Sequence, residues 1–410
     1  MKLFVYLFFL LLIFSCSSVS SEYQNTPSKQ IDKLLPYHTI YHKSADTTYV
    51  YTQINTEQLL YARKNQTAPF QAQFEIDIII IKNRITQDTI NYLFVDVDNN
   101  KTPKELLVKS AIHIQEGETI SLILSFYDIN KRDKHETNFV IDKQVNQTKD
   151  YFLITDTKTR LPIRHQIIKP NQAISVFSHS FQRDLNIRFK HNTFDLAAAP
   201  STFNITNAIT LTHDSLTTIR KENDCWLFTN DSSSGLVTLT LVGGNHQPFV
   251  LISLPVHFPK VGSYENMLEI LRYITTNYEF KKLMSEPNKR EAFENFWLGC
   301  TNNKEKARRL IKEYYKRAET ANEFFTSYKE GWKTDKGIIY IVYGKPHHIY
   351  SDDNSETWIY GDETNPLSLR FTFEKTANII STNNYILIRS PTYQSSWYVA
   401  IERWRDGRIY

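Results

Sequence analysis

Alternating apolar and polar residues indicate β-strands within the first 258 residues of the chain. Four runs show this period most clearly: 74–80, 120–126, 185–189 and 237–241. Such a run places every second side chain on one buried face, and short strands separated by polar turns are typical of an Ig-like sandwich. We therefore predict two all-β, Ig-like sandwich modules, over residues 36–150 and 151–258.

The period of the apolar residues changes to that of an α-helix after Pro259. Ser263 stands where the N-cap of a first helix is expected, Pro287 ends that helix and starts a second, and a third is predicted over about 303–328. The three apolar stripes are Met267, Leu268, Leu271, Ile274 and Tyr278; Phe293, Phe296 and Trp297; and Ala307, Leu310 or Ile311, Tyr314, Ala318, Ala321 and Phe325.

The strand period returns near the C-terminus, in the runs 338–343, 357–360, 369–373 and 385–389. Helices followed by short, consecutive strands are typical of an α+β domain whose sheet is an antiparallel meander. Residues 259–410 are therefore predicted to form such a domain, with helices over 259–330 and the sheet over 331–410. The predicted protein is thus multidomain.

The first residues carry the pattern of a targeting signal. Lys2 precedes an apolar run at 3–14, which is too short to span ~30 Å of hydrocarbon and fits the apolar core of a secretory signal. The run is followed by Ser15 and Cys16, an arrangement that resembles a bacterial lipobox. We predict that 1–15 are a lipoprotein signal peptide and that Cys16 is acylated; the competing interpretation is a plain signal peptide cut a few residues later.

A lipid on Cys16 would determine the compartment and the first partner of the protein. The cysteine of a bacterial lipoprotein carries more than one acyl chain, which is what stable membrane anchoring requires. The polar, serine-rich segment 16–35 is predicted to be a flexible tether. We expect a protein of the bacterial cell envelope, at the outer membrane and facing the periplasm, with surface exposure as the alternative.

The composition of the chain argues against nucleic-acid binding and against a metal site. The formal net charge is +4 and is spread along 410 residues, whereas proteins that bind nucleic acid usually cluster their basic residues on one face. Besides Cys16, the chain has Cys225 and Cys300, which we predict to be buried free thiols, with a periplasmic disulfide as the alternative. The spacing of Cys and His indicates no metal site, and we predict no cofactor and no nucleic-acid partner.

A five-residue motif follows the third predicted helix. Gly331-Trp332-Lys333-Thr334-Asp335 resembles the GWxTD motif that names a domain family of Bacteroidetes and related bacteria. Asn295-Phe296-Trp297 and Glu356-Thr357-Trp358-Ile359-Tyr360 also match stretches of that family, and the resemblance covers roughly 262–400. The chain departs from the family pattern at His347-His348, where an acidic pair is typical. The resemblance implies a secreted protein or lipoprotein and implies no particular reaction.

The motif allows a structural and a functional interpretation. In the structural one, Gly331 ends the third helix in the left-handed conformation, and Trp332 buries its ring where helices meet the sheet. The side chains of Thr334 and Asp335 hydrogen-bond the turn, and Gly337 lets the chain enter a strand. In the functional one, Trp332, Asp335 and Lys336 line a ligand groove. The candidate binding positions are Gly331, Trp332, Thr334, Asp335, Gly337 and Trp358.

The sequence offers one cluster that looks catalytic: His347, His348, Asp352, Asp353 and Glu356. Imidazole and carboxylate groups together can bind a metal or act as acid and base. Adjacent side chains on a strand point to opposite faces, however, so the two histidines are poorly placed to share one ion. We favour a polar hairpin loop and assign no catalytic residue.

These observations predict a non-enzymatic lipoprotein that acts as a scaffold or accessory subunit by binding another envelope protein. Aromatic residues near the C-terminus (Tyr393, Trp397, Tyr398, Trp404 and Tyr410) suit an interface or a packed core, and both remain open. The alternatives are a lipoprotein that binds glycan or peptidoglycan through exposed aromatic rings and, less favoured, a hydrolase centred on His347 or His348.

Overall fold

The computed structural model describes residues 36–97, 104–143, 149–191, 195–203, 213–231, 234–243, 248–352, 354–376, 380–381 and 383–408, together with the backbone of strand β1 (Gln24–Pro27). Cys16 and the predicted signal peptide 1–15 lie outside the described residues, and so does most of the predicted tether. The one described part of that tether, β1, is a strand that pairs with the C-terminal domain.

The first module is a sandwich of two antiparallel sheets. Its strands are β2 (Tyr37–His42), β3 (Thr47–Asn55), β4 (Gln71–Lys82), β5 (Ile85–Val97), β6 (Glu105–His113), β7 (Thr119–Asp128) and β8 (Asp133–Asp142). The sheet orders are β2-β3-β6 and β5-β4-β7-β8. The runs with the clearest strand period are β4 and β7, the two central strands of the larger sheet, and their inward side chains, such as Ile76 and Leu122, have no exposed surface.

The second module repeats this connectivity. Its strands are β9 (Leu153–Asp156), β10 (Ile167–Ile168), β11 (Gln172–Phe177), β12 (Leu185–His191), β13 (Ser215–Ile219), β14 (Cys225–Asn230), β15 (Gly235–Leu241) and β16 (Phe249–Ser253). The sheet orders are β14-β11-β9 and β10-β16-β15-β12-β13. Without the short β10, the first, second and fifth strands form one sheet and the other four form the second in both modules. The prediction of two Ig-like sandwiches is confirmed.

The C-terminal region combines helices with an antiparallel sheet, as predicted. Its helices are α1 (Tyr264–Ile270), α2 (Asn277–Ser285), α3 (Lys289–Thr301), α4 (Lys304–Phe325), α5 (Asp335–Tyr343) and α6 (Gln394–Arg405). Its own strands are β17 (His348–Ser351), β18 (Ser355–Tyr360), β19 (Leu369–Lys375) and β20 (Tyr385–Leu387), in the sheet order β1-β17-β18-β19-β20. One core joins helices and sheet, with Trp297, Tyr314 and Trp358 fully buried in it.

The prediction for residues 338–343 is wrong, because they form most of helix α5 rather than a strand. The run is apolar on every side, and that pattern is shared by a buried strand and a fully buried helix. Thr334 decides between them, because its hydroxyl accepts a hydrogen bond from the Gly337 N–H and caps the helix. Asp335 in the first turn complements the helix dipole. The predicted sheet over 331–410 therefore also contains two helices.

The first predicted helix is interrupted rather than continuous. Helix α1 ends at Ile270 and passes into a single 3-10 turn at Leu271–Ile274, and α2 begins with a capping box at Thr276. The break rotates the stripe, so that Tyr278 is 78% exposed instead of packing inward. No helix among the described residues is long and apolar enough to cross a membrane.

Candidate functional site

The GWxTD motif forms a tight turn that leads directly into a helix. Gly331–Lys333 make one turn of 3-10 helix, and Thr334 is the N-cap of α5. The Thr334 hydroxyl donates a hydrogen bond to the Gly331 carbonyl at 2.7 Å and accepts one from the Gly337 N–H at 3.1 Å. This one side chain therefore ties the end of the turn to the first turn of the helix.

Both glycines of this segment are required by close approach, and not for the reasons that the sequence suggested. A Cβ on Gly331 would overlap the Ala321 carbonyl of α4, and a Cβ on Gly337 would overlap the Gly331 carbonyl. Gly331 does not end a helix, because α4 already ends at Phe325. Gly337 lies inside α5 and does not lead into a strand. The two glycines let three backbone segments pack in direct contact.

Trp332 is buried at this contact. Its side chain is 3% exposed and its ring packs edge-on against Tyr273, at 6.2 Å between centroids. The Tyr273 hydroxyl donates to the Trp332 carbonyl at 2.9 Å, and the Trp332 N–H donates to the Asn322 side chain at 3.2 Å. Burial raises the pKa of Tyr273 far above its usual range, so this hydroxyl stays a hydrogen-bond donor.

Asp335 connects the motif to the sheet. Its carboxylate accepts hydrogen bonds from the Leu387 N–H at 2.8 Å, at the end of β20, and from the Arg389 guanidinium at 3.0 Å. The Asp335 and Arg389 side chains are 11% and 6% exposed. A buried carboxylate is stable in this position because a guanidinium and a main-chain donor satisfy it together.

A second buried ion pair lies one residue further along. Lys336 Nζ is 3.0 Å from a Glu356 carboxylate oxygen and 3.2 Å from the centre of the Tyr385 ring. The other oxygen of Glu356 accepts a hydrogen bond from the Trp358 indole at 2.5 Å. Burial lowers the pKa of Lys336, and the negative charge of Glu356 opposes this shift. Trp358 itself has no exposed surface.

A loop of the second sandwich, at 195–203, packs on the same turn. The Ala197 N–H donates to the Lys333 carbonyl at 3.1 Å, and Arg389 donates to the Ala198 carbonyl at 3.2 Å. Lys329 Nζ donates to the Asp195 carbonyl at 2.8 Å. Sequence reasoning missed this contact; the signal was the apolar run Leu196-Ala197-Ala198-Ala199 in a segment between two strands.

The motif is thus a joint where helix α4, the C-terminal sheet and the second sandwich meet. The polar groups that the functional interpretation assigned to a ligand are engaged by partners within the protein, and Trp332 and Lys336 are at most 5% exposed. The geometry favours the structural interpretation. The proposal that Trp332, Asp335 and Lys336 line a ligand groove stays a prediction, and it requires this joint to open.

The histidine and carboxylate cluster does not converge on one point. The ring of His347 accepts a hydrogen bond from the Gly361 N–H at 3.0 Å, whereas His348 faces Glu363 at 3.8 Å. Asp352 caps the hairpin turn through the Ser355 N–H, and Asp353 lies outside the described residues. No group of three or more metal-ligating side chains occurs in the part of the chain that the structure describes. The hairpin-loop interpretation fits this geometry.

Aromatic residues near the C-terminus belong mainly to the core. Trp397 and Trp404 are 4% and 3% exposed, whereas Tyr398 is 56% exposed. The Tyr393 ring packs at a tilt against the buried Phe371 ring, at 4.8 Å between centroids, and Tyr410 lies outside the described residues. Cys225 and Cys300 are free thiols, as predicted, but both are half-buried rather than buried.

Comparison with known families agrees with the motif. Residues 235–406 match the family model of the GWxTD domain. The match is wider than the resemblance at 262–400, because it begins at β15 and includes the last two strands of the second sandwich. No match was found among curated proteins. The chain therefore contains a GWxTD domain, at residues 235–406.

Proposed function

We propose that this protein is a non-enzymatic scaffold of the bacterial cell envelope, anchored to the outer membrane by lipid on Cys16 and binding another envelope protein. The GWxTD joint supports a scaffold role, because its acids and bases are used to hold modules together. The binding surface that we propose lies elsewhere, on the first sandwich.

The outward face of the sheet β5-β4-β7-β8 carries the proposal. Leu93 and Val95 of β5 are 65% and 53% exposed, and Val140 of β8 is 62% exposed. The register places Leu93 beside Glu75 and Tyr127 in one cross-strand row, and Val140 beside Ser121 in another. Aliphatic side chains therefore stand at both edges of one solvent-facing surface. We propose this face as the contact site for a partner, with its two aliphatic edges on either side of a polar centre.

The charges of this face indicate the chemistry of the partner. Glu75 and Asp77 alternate with the inward residues of β4, so their carboxylates stand in the middle of the outward face. Lys134 at the rim is already paired with Glu136, at 2.7 Å. We propose a partner protein that brings apolar side chains together with at least one lysine or arginine. Complementary charge of this kind speeds association and selects partners.

Glycan binding, the second hypothesis, has less support. Sugars commonly stack on the flat indole rings of tryptophan. All six tryptophans of this chain are buried, and the most exposed of them, Trp397, is 4% exposed. Among the described residues, the exposed aromatic side chains are Phe70, Phe203, Tyr264, Tyr278 and Tyr398, and no described contact brings any two of them together. The hydrolase hypothesis rests on His347 and His348, which point to different partners.

The scaffold proposal is tested by affinity purification of the tagged, natively acylated protein from detergent-solubilised membranes. We expect one protein to copurify in stoichiometric amount and to be lost when Leu93 and Val140 are both replaced by arginine. Leu367→Arg is the matched control, because Leu367 is 90% exposed in the C-terminal domain. Absence of a stoichiometric partner, or equal loss in the control, would refute the proposal.

The anchor is tested separately by metabolic labelling with an alkyne-tagged fatty acid. We expect the wild-type protein to be labelled and to sediment with membranes. Cys16→Ser should abolish the label and leave the signal segment unprocessed. Labelling that persists in Cys16→Ser, or a wild-type protein without label, would show that the anchor proposal is wrong.

A further inference from the structure

We infer that Gln24–Pro27 docks as the edge strand of the GWxTD domain and so holds that domain, rather than the first sandwich, next to the bilayer. Chain order suggests the opposite, because the first sandwich follows the N-terminal segment directly. The membrane part of the inference rests on the proposed lipid at Cys16. The docking part rests on the structure alone.

The observation is the strand pairing. Strand β1 runs antiparallel to β17, with the Cα partners Gln24–Ser351, Asn25–Tyr350, Thr26–Ile349 and Pro27–His348. On its other side β17 pairs with β18, so β1 covers an edge of the sheet. Pro27 is the last residue of this edge strand. Its missing N–H is tolerated there because an edge strand has one side without a partner strand.

An exposed strand edge is a ready site for an added strand, and main-chain hydrogen bonds supply the attraction with little demand on sequence. This explains why the polar sequence Gln24–Pro27 can dock as a strand. Covalent linkage to the same chain raises the effective concentration of the segment to the order of millimolar. A free peptide of the same sequence has no such advantage.

The chain length sets the distance from the membrane. Seven residues, 17–23, separate Cys16 from β1, and eight steps of at most ~3.6 Å span no more than about 29 Å. Without docking, the folded part begins at Pro36, and twenty steps of the same length reach about 70 Å. Docking therefore more than halves the largest distance between the acylated cysteine and the folded protein. It also determines which module lies closest to the membrane.

Cysteine crosslinking in the full-length, acylated protein tests the docking. Gln24→Cys combined with Ser351→Cys should form a disulfide under mild oxidation, because these positions are Cα partners. Gln24→Cys combined with Tyr278→Cys is the control, since Tyr278 is 78% exposed on α2 and outside the sheet. We expect at least tenfold faster crosslinking of the first pair. Equal rates would overturn the docking, even if fatty-acid labelling confirms the anchor.

Energy transfer tests the orientation. The acylated protein is placed in vesicles of phosphatidylethanolamine and phosphatidylglycerol that contain an acceptor-labelled headgroup. Donor dyes are attached at Leu367→Cys in the GWxTD domain or at Lys64→Cys in an exposed loop of the first sandwich. We expect more efficient transfer from position 367 than from position 64. The reverse order would overturn the inference.

A pair of proline variants links the two measurements. Asn25→Pro fixes φ near −65° within β1 and removes a main-chain donor there, so it should slow the 24–351 crosslink and lower the transfer from position 367. Ser21→Pro, outside β1, should change neither. If both variants behave alike, strand docking does not set the orientation.

Discussion

Replacement of Gly331 by alanine is the sharpest test of the joint. The added Cβ would lie closer than 3.0 Å to the carbonyl group of Ala321, and even the third-nearest atom, Asn322 Cα, would lie at 2.8 Å. Real Cβ atoms essentially never show such separations, and the obstacle is helix backbone rather than a side chain that can rotate away. The turn must therefore move off α4.

The cost follows from what that movement breaks. The Gly331 N–H would leave the Thr326 hydroxyl, now at 2.9 Å, and the Trp332 N–H would leave Asn322. Each lost hydrogen bond costs ~1 kcal/mol, and the displaced packing adds about 1–3 kcal/mol. We expect the free energy of unfolding of the GWxTD domain to fall by about 3–5 kcal/mol, which lowers its Tm by roughly 10 °C at ~2–4 °C per kcal/mol.

The assay is thermal unfolding of the full-length chain followed by tryptophan fluorescence, because five of the six tryptophans lie within residues 235–406. Gly299→Ala is the matched control. Gly299 lies in helix α3 and a Cβ there would meet nothing within 4 Å, so alanine should raise stability by ~0.5–1 kcal/mol. If Gly331→Ala keeps the wild-type Tm, or shifts it upward as Gly299→Ala does, the close-approach argument is wrong.

Three further predictions concern charge and redox state. Asp335→Asn should lower the free energy of unfolding by ~3–5 kcal/mol, because it leaves the buried Arg389 charge without its carboxylate, whereas Asp406→Asn, whose side chain is 54% exposed, should cost under ~1 kcal/mol in the same urea titration. The Arg405 hydrogen bond lowers the pKa of Glu279 from 4.5 to about 2. Since the folded-state pKa lies below the unfolded one, this pair stabilises fully above about pH 5 and loses its effect as the pH falls towards 2. Both side chains are about one-third exposed, so Glu279→Gln should lower the free energy of unfolding by under ~1 kcal/mol at pH 7. The Tm values of the variant and the wild type should converge near pH 2. A Tm difference that grows as the pH falls would contradict this direction of the pKa shift. Finally, a reducing agent should leave the Tm unchanged, because both described cysteines are free thiols; a drop would reveal a disulfide.

The spacing of apolar residues alone is enough to predict the two sandwiches and the long helix α4 from the sequence. Strands β4 and β7 alternate over much of their length because each has one face in the core and one in solvent. In α4 the whole predicted stripe from Ala307 to Phe325 is buried, since a helix on the surface of a domain must show its core-facing side in its sequence. Ser263 also caps α1 as expected.

The spacing of apolar residues does not predict an element that is buried on all sides, or a contact between residues far apart in the chain. Helix α5 is enclosed by α4, α6 and the sheet, so its apolar run carries no stripe, and its β-branched residues favour the wrong structure. Glycine is required at position 331 because the carbonyl of Ala321, ten residues earlier, lies against it. Ala197 donates a hydrogen bond to Lys333, more than a hundred residues further along the chain. Single-sequence patterns report local structure, so they miss both contacts.

The contacts of the joint also explain why the motif has an unspecified third position. Gly331 is required for close approach, Trp332 fills the space beside Tyr273, and Thr334 caps α5. Lys333 stands at the unspecified position. The sandwich loop uses its carbonyl oxygen, and its side chain pairs with Glu330 at 2.8 Å. Any side chain supplies that acceptor, whereas no other residue type supplies the absent Cβ of Gly331.

The same reasoning supports our proposal that a partner binds away from the motif. A residue whose identity is dictated by internal packing has little surface left for a partner, and the motif residues of this joint are almost entirely of that kind. Leu93, Val95 and Val140, by contrast, are exposed aliphatic residues for which no internal contact accounts. If Gly331→Ala lowers the Tm but keeps partner binding below its Tm, while the arginine substitutions at Leu93 and Val140 abolish binding and keep the Tm, the joint serves architecture and the first sandwich serves recognition.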